Sequence, residues 1–204
     1  MSTTSINLPR RAPRLKWPIL IASPLALVVG YTLMPEYVEA RDEIGYGLRV
    51  TARVAFVFLL CAYLGRPLLR LFGVGRLLVA NRRYLGLSMA FAHTVHFGYV
   101  AAWIAVIDEP VGWITYVFGG LAFVLMWLMA ATSNQPSMDR LGRRWKQLHT
   151  CGIHYLWLIF MQSFVGRIGP EDEYYLYAGL SLAGSVALLA RVWAYRSQRL
   201  SRTT

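Results

Sequence analysis

Six apolar stretches, near residues 17–35, 48–65, 84–107, 111–132, 148–166 and 174–194, constrain this sequence more than anything else in it. Each has about the 20 residues that a helix needs to cross a hydrocarbon core of roughly 30 Å. A backbone N–H or C=O in lipid cannot turn to water, so such a segment must satisfy its own hydrogen bonds by coiling into a helix. The sequence therefore predicts an all-α integral membrane protein, a six-transmembrane-helix bundle. Pro18 and Pro24 fall in the first stretch, and lipid-embedded helices tolerate proline better than soluble ones do. With 56% of its 204 residues hydrophobic and only 15% charged, the chain leaves no room for a second domain.

A net charge of +11 would suggest nucleic acid as a partner in a soluble protein, but the location of the charges argues otherwise. The N-terminal segment, the second and fourth connections and the C-terminal tail hold 17 of the 21 basic residues, and the alternate connections PEYVEARDEIG, IDEPVG and GRIGPEDEYY hold nine of the ten carboxylates. By the positive-inside rule both termini are cytoplasmic, and no nucleic-acid role is expected. The expected organisation is a cytoplasmic segment over 1–16, the bundle over 17–195 and a cytoplasmic tail over 196–204, multi-pass in a bacterial-type inner membrane. The basic start runs into a full-length span with no small-residue cleavage site, which reads as an anchor. The second connection, RPLLRLFGVGRLLVANRR, sets leucines and valines against arginines at near-helical spacing, so an amphipathic segment lying in the interface is expected, its arginines touching lipid headgroups. Cys61 and Cys151 fall inside predicted spans without metal-ligand spacing and read as small buried residues.

All four histidines, His93 and His96 in FAHTVHF and His149 and His154 in LHTCGIHYLW, belong to the third and fifth predicted helices. Both helices follow a basic connection and so run parallel. Imidazole is costly in hydrocarbon unless it finds a partner or a metal. One histidine from each of two facing helices can clamp a planar haem, filling both axial positions and leaving the iron fit for electron transfer alone. His93 and His96, at i and i+3, share a helix face. His149 and His154 are about 140° apart around an ideal helix. Counted at 1.5 Å per residue, His149 and His154 lie about 5 and 12 Å beyond Lys146, and His93 and His96 about 15 and 19 Å beyond Arg83. Depth thus pairs His154 with His93 but does not choose the ligands.

Two stretches carry a likeness to a known family. RRYLGLSMAFAHTVH has its paired arginines, leucine-glycine and downstream histidine, and TSNQPSMDRLGRRWKQLH its threonine-serine, leucine-glycine, tryptophan and leucine-histidine run. Over about residues 82–165 the chain resembles the ferric reductase-like transmembrane domain family, which includes ferric reductases, the membrane domain of NADPH oxidases and the haem-bearing membrane subunit of the periplasmic methionine sulfoxide reductase system. The resemblance implies haem b, one or two, with His96 and His149 the first candidate ligands and His93 and His154 the next. Two-haem members carry a further histidine thirteen positions after the one matching His149, and here that position is Gln162. It also implies transmembrane electron transfer to an extracytoplasmic acceptor, as an oxidoreductase or an electron-transfer subunit of one.

No GxGxxG fingerprint or flavin domain is present, so electrons are expected from a redox partner protein, from quinol, or from a loosely bound flavin or quinone. Arg49 and Arg53, at i and i+4, are placed either to pair haem propionates or to snorkel to the outer interface. The competing reading is a haem-free small transporter or assembly factor whose histidines serve packing or proton relay.

Overall fold

The computed structural model describes residues 12–36, 39–106, 112–169 and 173–200, with side chains described to residue 197. Arg10, Arg11 and Arg202, the connection 107–111 and the acidic residues Glu171 and Asp172 lie outside this range. Within it the chain is helical throughout: α1 Lys16–Thr32, α2 Ala40–Phe72, α3 Arg76–Val106, α4 Trp113–Ala131, α5 Gln135–Leu141, α6 Arg143–Val165 and α7 Tyr174–Leu200. Four helices, α2, α3, α4 and α7, are long and apolar enough to cross a membrane, and α1 is a shorter apolar helix of 17 residues. Helix α6 has the length, 23 residues, but two histidines, Gln162 and a basic first turn dilute its apolarity. The chain is a multi-pass membrane protein.

The second connection corrects an expectation. No separate amphipathic segment lies there: α2 continues through Arg66 and Arg70 to Phe72, turns at Gly73–Gly75, and α3 begins at Arg76. The near-helical spacing of RPLLRLFGVGRLLVANRR is thus the periodicity of two helix ends facing each other across a tight turn. Gly73 and Gly75 make the turn with φ of 70° and 86°, a region where any side chain is strained. Gly65 brings α3 close, since a Cβ there would lie 3.0 Å from that of Leu78.

The hairpin α2–α3 organises the rest. Helix α2 packs on α1, α3, α6 and α7, α3 on α1, α2 and α4, and α4 on α6. The backbones of α3 and α6 do not approach closely, the two helices meeting through the rings of His93 and Phe160, and the space between them is walled by α2 and α4. Above that space the core closes on Phe56, whose ring meets Phe164 edge-on at 4.9 Å and Phe160 at 5.5 Å, contacts worth about 0.5–1.5 kcal/mol each beyond buried area.

Helix α1 is joined to α3 by Asn81, which is 1% exposed. Its Oδ1 accepts from Leu15 N–H at 2.6 Å, and its Nδ2 donates to Pro13 O at 2.9 Å and Leu77 O at 3.0 Å. One amide thus satisfies backbone groups at the start of α1 that have no helical partner. Two turns on along α3, Ser88 Oγ donates to Ile19 O at 2.8 Å, which fixes α1 parallel to α3. Asn81→Ala strands these groups and should cost about 1–3 kcal/mol, read as an earlier thermal unfolding midpoint in detergent, whereas Asn134→Ala, at the cap of the exposed α5, should cost less.

Candidate functional site

Helix α3 turns a stripe of Met89, His93 and His96 to the interior, positions one helical turn apart. His93 is 5% exposed. Its ring lies parallel to His96, centroids 5.0 Å apart at 9°, and against Phe123 of α4 at 4.6 Å and Phe160 of α6 at 5.1 Å. Its Nδ1 is buried without a hydrogen-bond partner.

His96 is held from α2. Thr51 Oγ1 donates to Gly47 O at 2.7 Å, which uses its only hydrogen, so at 2.9 Å it accepts from His96 Nδ1–H. The proton is thereby fixed on Nδ1, and Nε2 keeps its lone pair. His149 is set the same way within α6, its Nδ1 donating to Trp145 O at 3.2 Å. Ser133 Oγ, 3.5 Å from His149 Nε2, is already donating to Met129 O at 2.7 Å. The Trp145 indole stacks on the His149 ring at 4.0 Å and donates its Nε1–H to Thr132 O at 2.8 Å. His154 Nδ1 donates to Thr150 O at 2.6 Å, and its ring meets Tyr63 of α2 edge-on at 5.6 Å. Three of the four histidines therefore have the tautomer that a metal ligand binding through Nε2 requires.

The structure brings His93 and His96 together and keeps His149 and His154 apart from them and from each other. Register can be read through α4, which runs antiparallel to α3: Trp127 Nε1 donates to Thr94 Oγ1 at 3.0 Å, and the Phe97 and Phe123 rings are 4.7 Å apart. Between α3 and α6 themselves, the rings of His93 and Phe160 meet at 5.1 Å, and His149 lies eleven residues before Phe160, so His149 is about 16 Å nearer the basic end than His93 at 1.5 Å per residue. His154 faces α2.

Between α2, α3, α4 and α6 lies a cavity of about 710 Å³, within the range of cofactor pockets. Leu59, Met89, Met126 and Leu156 give it an apolar interior, and His149 is the one histidine on its described wall. Arg14, Arg66, Arg82, Arg83, Lys146 and Arg191 line it as well, against a single carboxylate, Asp139. Such a site suits a flat apolar body with anionic substituents.

No family model and no solved structure matches the chain. Among curated relatives, it is 31% identical over 164 residues to the protein-methionine-sulfoxide reductase heme-binding subunit MsrQ of Cronobacter sakazakii, which covers 73% of this chain and 74% of that protein. The MsrQ of Pectobacterium carotovorum is 31% identical over 147 residues, 65% of this chain and 70% of its own. The chain belongs to the MsrQ family. It is also 27% identical over 168 residues to the magnetosome protein MamZ of Paramagnetospirillum magneticum, of which it covers 26%.

Within this MsrQ-family bundle, Gln162 is exposed on the outer surface of α6, turned away from the stripe on α3. Arg49 and Arg53 meet at the opposite end from the cavity mouth. Arg53 Nη2 donates to Glu173 Oε2 at 2.6 Å and to Tyr177 Oη at 3.2 Å, and Arg49 Nε lies 3.9 Å from the same carboxylate. Sequence reasoning did not find Glu173, Thr51 or Ser133. Thr51 leaves no trace in a pattern, being one hydroxyl in a span, whereas Glu173 had a signal: it is a carboxylate at the start of a helix on the same side as two unmatched arginines. Partial burial works to raise the Glu173 pKa, but the hydrogen bond and charge of Arg53, with Tyr177 and Arg49, outweigh it and hold the carboxyl below its ordinary range. A depressed folded-state pKa stabilises the fold above the unfolded value and loses that contribution as pH falls through the folded one. Glu173→Gln should therefore lower the unfolding midpoint slightly at neutral pH, by the roughly 0.2–1 kcal/mol of a solvent-screened pair, and not below the carboxylate range. A pH series of melting curves measures the difference.

Proposed function

We propose that the chain is a haem b-binding transmembrane electron-transfer subunit, with six spans over 17–195, the 1–16 and 196–204 segments in the cytoplasm, and a bacterial inner membrane as its home. The observation that carries this reading is the common state of His96, His149 and His154, each with Nδ1 engaged and Nε2 left as a donor for iron, in a family whose named members are heme-binding. His149 in the basic-end cavity and His96 farther along are the leading ligand candidates, followed by His93 and His154.

Because His96 and His149 are about 20 Å apart along the axis, they serve iron at two levels rather than one clamp. Bound haem supplies a reversible one-electron centre. The protein's part is to hold the imidazoles: Thr51 fixes His96, and Trp145 fixes His149 through its carbonyl and its stacked ring. The cations lining the cavity suit the haem carboxylates. The donor is a redox partner protein or quinol reaching the basic end, and the acceptor lies on the other side of the membrane. The MsrQ relatives are named as subunits of a protein-methionine-sulfoxide reductase, which makes a protein acceptor the natural choice.

Protein purified in detergent should show a Soret band, and its absence even after haem supplementation would refute the reading. His96→Ala and His149→Ala should each lose haem, and His154→Ala should keep it. Thr51→Val, which keeps the shape and removes the acceptor of His96 Nδ1–H, should weaken haem binding about 10–100-fold, read by haem titration of the apoprotein.

A further inference from the structure

Helix α2 carries a proline, Pro67, in its interior. Proline has no N–H, so the carbonyl four residues earlier, Tyr63 O, loses the bond that the helix would give it. Arg191 of α7 takes that place: its Nη1 donates to Tyr63 O at 3.2 Å, and its guanidinium lies 4.3 Å from the centre of the Tyr63 ring. A proline on one helix thus builds a seat for a cation from another. From that seat Arg191 lines the cavity that holds His149.

Arg191 differs from the other cations of this cavity. Arg14, Arg66, Arg82, Arg83 and Lys146 are exposed, whereas Arg191 is half-buried. Among the described residues no carboxylate pairs with it, and the charges within its electrostatic reach include those of Arg66 and Arg70. Its level follows from direct contacts between α6 and α7. The rings of Phe164 and Tyr177 meet at 6.0 Å, and seven residues back along α6 and seven on along α7, Trp157 Nε1 donates to Gly184 O at 3.0 Å. The same antiparallel count carried on to His149 arrives at Val192, so Arg191 leaves its helix at the His149 level. Its side chain then runs back to Tyr63, whose ring meets His154, about 7 Å farther into the bundle than His149 at 1.5 Å per residue.

We infer that Arg191 binds a carboxylate of the haem held by His149, an inference that rests on the haem reading above. A guanidinium has five N–H donors and Tyr63 O takes one, so a carboxylate can still be held by two. Withdrawing an arginine from water is costly, but here the Tyr63 ring and carbonyl offset that cost in folding, before any ligand arrives. An anion entering the cavity therefore gains the attraction of a charge that is already desolvated. A fixed cation in a medium of low dielectric also favours the ferrous state of a haem bound there, because reduction adds an electron. Helix α7 thereby shares in the site although it carries no histidine.

The test compares haem with its dimethyl ester, in which both carboxylates are blocked, by titration of the full-length apoprotein in detergent. Esterification should weaken binding to the parent, and in Arg191→Gln that penalty should shrink by about 10–100-fold, the range expected for hydrogen bonds to a charged group. Arg191→Gln purified with haem should also show a lower midpoint potential for one haem. Arg144→Gln, which removes a charge from the same end but off the described cavity wall, should change neither. If haem and its ester bind the parent equally well, the assignment is wrong, a result that needs no variant to fold. It is equally wrong if the penalty in Arg191→Gln matches the parent's, or if Arg83→Gln or Lys146→Gln abolishes the penalty and Arg191→Gln keeps it. Haem binding that is lost in His149→Ala leaves the haem reading standing in each of these cases. If the parent binds no haem at all, both fall together.

Discussion

A polar group inside hydrocarbon must find a partner within the protein, and the internal order of this bundle follows from that requirement. Most hydroxyls meet it locally by donating to the carbonyl one turn back, as Thr51 does to Gly47, Thr94 to Ala90 and Ser133 to Met129. That leaves their oxygen lone pairs as acceptors, and the bundle uses them between helices. Thr51 takes the His96 proton, and Thr94 takes the Trp127 indole proton. The tautomer of His96 is thus set by a hydroxyl that had first to satisfy itself, and those of His149 and His154 by carbonyls of their own helix. His93 is the exception, with Nδ1 buried and unpartnered. Its aromatic surroundings stabilise the ring but give the nitrogen nothing, which leaves this imidazole available to a cofactor.

The same requirement explains what could be read from the sequence. Span lengths of α2, α3, α4 and α7 were legible because lipid permits so few alternatives to an uninterrupted helix. The extension of α2 and α3 beyond the apolar runs was not, because arginines at helical spacing look alike in an interfacial helix and in the projecting end of a long one. Only the two left-handed glycines, Gly73 and Gly75, distinguish the cases. His96 and His149 stood out through motif and chemistry. Their levels did not, since a count along each helix from its own charges carries no information about how far one helix slides against another. That register is set by side chains such as Trp127 and Phe123, whose partners on α3 no spacing rule connects to them.

Gly152 and Gly86 show a second kind of information that spacing hides. Both sit in helix interiors, where glycine is disfavoured by roughly 0.5–1 kcal/mol relative to alanine. Gly152 is filled by a methionine from α4, and Gly86 is left open on the cavity. A helix glycine in an apolar span reads equally as close packing or as room for a ligand, and only the neighbouring helix decides which.

Charge divides the bundle in a related way. At one end Arg53 is committed, with Nη2 donating to Glu173 and Tyr177 and its guanidinium 5.3 Å from the Tyr177 ring. This contact ties α2 to the start of α7, so the arginine that the i, i+4 pattern offered to propionates has a structural task. At the other end Arg191 of α7 lies 4.3 Å from the Tyr63 ring and donates to Tyr63 O at 3.2 Å, while still lining the cavity with Arg66, Arg82 and Arg83. A buried cation that is partnered by a ring and a carbonyl keeps its full charge, since neither can neutralise it. An anionic group entering there meets uncompensated positive charge in a low dielectric, where attraction is strongest. The basic end thus gathers cations around the cavity that holds His149, and the opposite end uses its arginines to hold helices together.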